Sequence, residues 1–146
     1  MARPAQNFQN HTRRYPLFHF IAFPLLAVYA LYAIYALIRA PSLATAAGLV
    51  LAGGVMATLF GSRLMVATVQ NRIIRLEMSM RLERVLGASA AADALSRLPL
   101  RSLIALRFAS DAELPGLVAR ALSNELPTNV ALKQAIREWQ PDYLRA

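Results

Sequence analysis

The residues able to support acid–base or metal chemistry are few in this chain: two histidines, eight acidic residues and no cysteine. Without cysteine there are no disulfides, thiolate metal sites or thiol nucleophiles. His19 stands between Phe18 and Phe20, about one turn into an apolar run. A neutral imidazole there could be an axial ligand to a haem or chlorophyll-type pigment. The simpler reading is a polar anchor at headgroup depth. His11 has no partner motif and reads as solvated or interfacial. Asp111 and Glu113 could suggest an acid–base pair, but Ser110-Asp111-Ala112-Glu113 already reads as a capping box with its acids in a helix's first turn. The chain has no glycine-rich phosphate loop, metal-spaced cluster or nucleophile elbow. The sequence therefore predicts no enzyme, no cofactor, no metal and no small-molecule substrate, with His19 as the only cofactor-binding candidate.

Two other patterns suggest contact rather than catalysis. Tyr29, Tyr32 and Tyr35 alternate with Ala27, Ala30, Ala33 and Ala36 along one apolar segment. The Tyr32 hydroxyl falls nearer mid-span than the ends, where hydrocarbon offers it no hydrogen-bond partner, so it is expected to face protein or a polar group of a bound molecule. Tyr29, Tyr32, Tyr35 and Trp139 are the expected partner contacts. Gly53, Ala57 and Gly61 repeat every four residues, a helix face with almost no side-chain bulk, and Gly48 and Ala52 form a neighbouring strip. Small residues let membrane helices approach closely. The face is expected either to close on the other apolar segment or to dock on a different protein's helix.

These patterns sit on two uncharged segments. Leu17–Ile38 gives 22 residues, about 33 Å of helix, and Leu43–Ser62 gives 20, about 30 Å; both match a bilayer core. Pro24 inside the first is tolerable in a membrane helix, with a local kink. Only residues 39–42 separate the two, and Pro41 ends the first helix. So short a turn forces an antiparallel hairpin. Arg3, Arg13, Arg14, Arg63, Arg72, Arg75 and Arg81 flank its outer ends, against Arg39 in the turn, so the positive-inside rule puts both termini in the cytoplasm. A signal peptide or twin-arginine leader is the competing reading. The first run is too long for it, and a second span follows at once.

The fold expected is an all-α membrane protein: a cytoplasmic tail over residues 1–16, a transmembrane hairpin over 17–62, and a cytoplasmic helical region over 63–146. The net charge of +8 divides as +3 over residues 1–16, +1 in the turn and +4 from residue 63 onward. That spread suits anionic lipid rather than nucleic acid, and no later helix has the basic, amide-rich face of a DNA reader. Beyond the second span, Val69, Ile73, Leu76 and Met80 form a short heptad-like stripe, expected to cover the rest of the domain in preference to a second copy. Glu77 and Arg81 are placed for an i,i+4 ion pair. Gly87 should end that helix. Later helices are expected over Ala88–Leu98 (weakly), Pro99 to about Phe108, Ser110 to about Glu125, and Val130–Gln140. On the last, Leu132, Ile136 and Trp139 would share one stripe that pins it to the core or a partner.

Gln9-Asn10-His11-Thr12-Arg13 and Pro16-Leu17-Phe18-His19 open the chain. Arg72 through Glu77, Leu103 through Asp111 and Glu113-Leu114-Pro115 follow; Lys133, Ile136, Trp139 and Asp142-Tyr143-Leu144-Arg145 close it. On these residues the chain resembles a family of small, uncharacterised bacterial proteins with two membrane helices. Pro141 departs from the pattern, because the family's last helix runs unbroken toward the tail. The resemblance implies a bacterial inner-membrane location and no particular activity. Together these features lead us to expect a non-catalytic accessory subunit of a larger membrane complex, respiratory or photosynthetic in type. Its partners would be other integral membrane proteins and the lipid bilayer. The alternative is a membrane-tethered adaptor recruiting a soluble protein through its cytoplasmic helices.

Overall fold

In a computed structural model the chain is mostly helical, and residues 5–11 and 15–142 are described. Arg3, Arg13 and Arg14, which enter the topology argument, lie outside the described residues, as do Thr12 and the tail Tyr143-Leu144-Arg145. The elements are a π-helix over Leu17–Ala22 continuing as α1 (Phe23–Arg39), then α2 (Leu43–Leu86), α3 (Ala88–Arg97), α4 (Leu100–Leu106), α5 (Leu114–Leu122) and α6 (Asn129–Ala135). Two helical stretches, Leu17–Arg39 and the front of α2, are long and apolar enough to cross a membrane. By contacts the chain forms two compact units: Arg14–Ala67, and Met1–Arg13 together with Thr68–Arg145.

The π-helix explains how Pro24 is accommodated. A proline inside an α-helix removes one donor and crowds the carbonyl four residues back. Here the Phe23 N–H bonds the carbonyl of Phe18, five residues back, so the ladder widens just before the proline. The other end follows proline chemistry as well. Ala40 is extended (φ −143°, ψ 76°) ahead of Pro41, and α1 stops at Arg39. A cap not foreseen from sequence then starts α2. Thr45 N–H donates to Ser42 Oγ at 3.2 Å, and Ser42 N–H donates to Thr45 Oγ1 at 2.9 Å.

Within this unit two contacts join α1 to the front of α2. The Tyr29 hydroxyl lies over Gly48, 3.6 Å from where a β-carbon would stand. Phe23 meets Phe60 edge-on with ring centroids 5.9 Å apart. Among the described residues of this unit, only Ala33 (4% exposed) and Ala52 (2%) are buried. The close approach therefore uses the Gly48–Ala52 strip, not Gly53, Ala57 and Gly61. A β-carbon at Gly53 or Gly61 would meet nothing within 4 Å, and Ala57 is exposed. Of the two readings of that face, closure on α1 is not what this structure has.

The other unit has a conventional core. Ile74, Met78 and Leu82 of α2 pack with residues of α3–α6 and of the α4–α5 connection, including Leu103, Leu106, Phe108, Leu114 and Leu132, the last five all at most 1% exposed. Gly87, at φ +82°, turns the chain out of α2 as expected. Asn124 (φ 62°) ends α5 similarly: it tolerates the left-handed region, and Glu125 N–H returns to the Arg120 carbonyl at 3.0 Å.

Three expectations for this unit are corrected. The Val69, Ile73, Leu76 and Met80 stripe does not cover the domain; Ile74, Met78 and Leu82 on the opposite face of α2 do. Arg81 does not pair with Glu77, because Asp111 takes it at 2.6 Å. The last helix ends at Ala135, not Gln140: Ile136 is already extended, and Trp139 pairs with Ala109 in an isolated antiparallel bridge. The Glu113 carboxylate accepts the N–H groups of Arg137 and Glu138 (3.1 Å each at the shorter contacts), and Phe108 O accepts Gln140 N–H at 2.7 Å. With its donors satisfied this way, the segment gains nothing from staying helical.

Candidate functional site

Of the candidate residues, His11 lies where both ends of the described chain meet. An Asn7–Asn10 turn shapes the approach. Asn7 N–H donates to Asn10 Oδ1 (2.7 Å), and the Asn10 amide donates to the Ala5 carbonyl (2.9 Å). That turn delivers His11 to the core surface. Its Nδ1 lies 2.7 Å from the Phe8 carbonyl, an acceptor, so Nδ1 carries the proton. Nε2 is left to accept from Lys133 Nζ at 2.9 Å. The ring sits edge-on to Phe108 (centroids 5.7 Å), tilted on Trp139 (5.7 Å) and stacked on Phe8 (5.9 Å). Phe108 and Trp139 touch each other at 5.0 Å.

A polar clasp borders the aromatic group. Gln6 and Asp142, 136 residues apart, exchange two hydrogen bonds: Asp142 N–H to Gln6 Oε1 at 2.8 Å, and Gln6 Nε2 to the Asp142 carbonyl at 3.2 Å. Arg107 places its guanidinium carbon 4.4 Å from the Phe108 ring centroid and its Nε 3.2 Å from Asp142 Oδ2. A cation over an aromatic face gains from the ring quadrupole, more so when desolvated. Gln6, His11, Arg107, Lys133 and Asp142 thus each meet another residue of the cluster, and together they fasten the two ends of the described chain.

A second fastening holds the α4–α5 connection. Arg81, only 14% exposed, donates to Asp111 Oδ1 (2.6 Å) and to the carbonyls of Arg107 (3.0 Å) and Ala109 (2.5 Å); Arg84 adds a 3.0 Å bond to Asp111 Oδ2. The hydrogen bond from Arg81 holds the Asp111 carboxyl below the usual aspartate range, with both arginine charges adding to it. Ser110 keeps the half of the expected capping box in which its Oγ accepts Glu113 N–H (3.3 Å). The Glu113 side chain does not return to Ser110; it serves Arg137 and Glu138.

The other candidates lie apart from these clusters. His19 gives its Nδ1 to the Tyr15 carbonyl (3.0 Å) and rests edge-on against Phe18. Among the described residues no group of three or more His, Cys, Asp or Glu could hold a metal ion. Tyr29, Tyr32 and Tyr35 do not form a site together; all three are exposed along α1, Tyr32 at 63%. Trp139, expected on a helical stripe, is half-buried beside His11 and Phe108. The sequence reading missed His11 and Gln6. Of the residues that carry the family resemblance, His11, Arg107, Phe108, Lys133, Trp139 and Asp142 all converge on this clasp.

The family model agrees with that resemblance. The chain belongs to a family of unknown function, DUF6526, whose model matches residues 1–146. Comparison with curated proteins gives no match, and comparison with solved structures gives none. In this DUF6526 chain the segment ahead of the first apolar stretch and the segment after the second are thus fastened into one folded unit.

Proposed function

We propose that this chain is a non-catalytic accessory subunit of a larger membrane complex, inserted as a two-pass hairpin with its helical domain and both termini in the cytoplasm. The hairpin topology draws support from the clasp. Gln6 lies before the first apolar stretch and Asp142 after the second, and groups that hydrogen-bond to each other share one side of a membrane. The arginine count assigns that side to the cytoplasm, and the family resemblance suggests a bacterial inner membrane. The subunit role rests on one observation: Tyr32, near mid-span, is 63% exposed in the isolated chain. A phenol left in hydrocarbon without a partner is costly, which favours a neighbouring protein helix at that surface. The open face at Gly53 and Gly61 offers a second place of close approach.

The test is purification of a tagged chain in mild detergent. Large integral membrane proteins should accompany it, and Tyr32→Ala or Gly53→Leu should release them while the chain itself stays folded. Recovery of soluble proteins only would overturn the reading in favour of the adaptor.

A further inference from the structure

We propose that two copies of this chain associate in parallel through the exposed stripe of α2 just beyond the membrane. Val69, Ile73, Leu76 and Met80 recur at spacings of four, three and four, the seam of a coiled coil. Each is half exposed or more. The domain makes no use of them, since its core takes Ile74, Met78 and Leu82 from the opposite face of the same helix.

The flanking charges select a second copy as the occupant. Arg72 precedes the seam residue Ile73, and Glu77 follows the seam residue Leu76. In a parallel pair Arg72 of one helix meets Glu77 of the other, five residues on, and two-fold symmetry forms that contact twice. Within the chain, among the described residues, neither side chain makes an ion pair, because Arg81, the neighbour Glu77 would otherwise use, is held by Asp111. Copies inserted in one membrane with the same topology present α2 in the same direction. Tethering also raises their effective concentration, so a stripe under two heptads long can suffice. The parallel orientation rests on the membrane reading above; the interface itself does not.

The chain has no cysteine, which makes the test direct. Ile73→Cys and Leu76→Cys on the seam, and Arg75→Cys off it, are each oxidised in native membranes. The seam variants should move to about 32 kDa, twice the 16.0 kDa chain, while Arg75→Cys stays at its own mass. In the Ile73→Cys background, Arg72→Glu should cut the linked product about tenfold, and adding Glu77→Arg should restore it. Equal linkage on and off the seam, a product of any other mass, or an Arg72→Glu variant that links unchanged would each overturn the proposal. Unaltered Trp139 emission shows that the variants fold. Carbonate washing of the same membranes separates the two ideas: a chain that washes out defeats the membrane reading and the parallel orientation with it. A chain that stays inserted and does not link at the seam defeats the dimer alone.

Discussion

The two units of this protein are held by opposite means. Along α1 and the front of α2 most large apolar side chains are exposed, and the close approach rests on Ala33, Ala52 and Gly48 under Tyr29. The domain formed by the rest of the chain buries Phe108, Leu82, Leu103, Leu106, Leu114 and Leu132 almost completely, and locks them in with polar fastenings between residues as far apart as Gln6 and Asp142. In the proposed membrane setting the surroundings of the first unit are apolar and supply no hydrophobic force between helices, so that unit needs only shape at its contact. Water supplies that force, so the second needs a filled core and satisfied polar groups. On that reading damage should stay local: a core defect should unfold the domain and leave the two apolar helices in the membrane.

The largest expected effect is that of Phe108→Ala. Removing a fully buried ring costs about 3–5 kcal/mol, a large share of what so small a domain has. Denaturant titration followed by Trp139 emission should show the loss, with membrane retention unchanged; loss of retention would mean that the two units do not stand independently. Next is Arg81→Ala, which leaves the carbonyls of Arg107 and Ala109 without their cationic donor and Asp111 with Arg84 alone. Charged hydrogen bonds of this kind are worth about 2 kcal/mol, so the same titration should shift by roughly half as much. In the hairpin, Ala52→Leu should cost about 1–3 kcal/mol by overpacking, while Gly53→Leu should leave the isolated chain's thermal stability in detergent unchanged, since a side chain there meets open space. Equal sensitivity at both positions would contradict the assignment of the packed strip. The smallest effect is set by pH. Asp111 is held below its ordinary value in the folded chain, so its contribution is fully present above the unfolded value and fades as pH falls through the lowered one. Acid unfolding of the domain should begin at higher pH in Arg81→Ala than in the parent.

The same contrast governs how much could be read from the sequence. The two apolar stretches, the break at Pro41 and the helix end at Gly87 follow from composition and local backbone rules, and they appear where those rules put them. What failed depended on distant partners. Val130–Gln140 has a helical pattern, yet its second half is drawn into extended backbone by Glu113 and Phe108. The heptad spacing at Val69–Met80 was legible, but which face of α2 the core would take was not, because Ile74, Met78 and Leu82 make an equally good stripe. Asp111 looked like a first-turn acid because its partner lies 30 residues back at Arg81. His11 offered no local motif, as its partners Phe108, Lys133 and Trp139 come from elements about a hundred residues away. The Ser42–Thr45 cap was a local signal that the reading passed over.

The proposed topology puts the segments on either side of the two apolar stretches in one compartment and the turn between them in the other. Because the chain lacks cysteine, single cysteines at Gln9, Ser42 and Ser123 can each be probed in intact cells with a membrane-impermeant thiol reagent. Ser42→Cys should label at once, whereas Gln9→Cys and Ser123→Cys should label only after the membrane is permeabilised. Labelling of Gln9→Cys and Ser123→Cys from opposite sides, or of all three from outside, would overturn that topology.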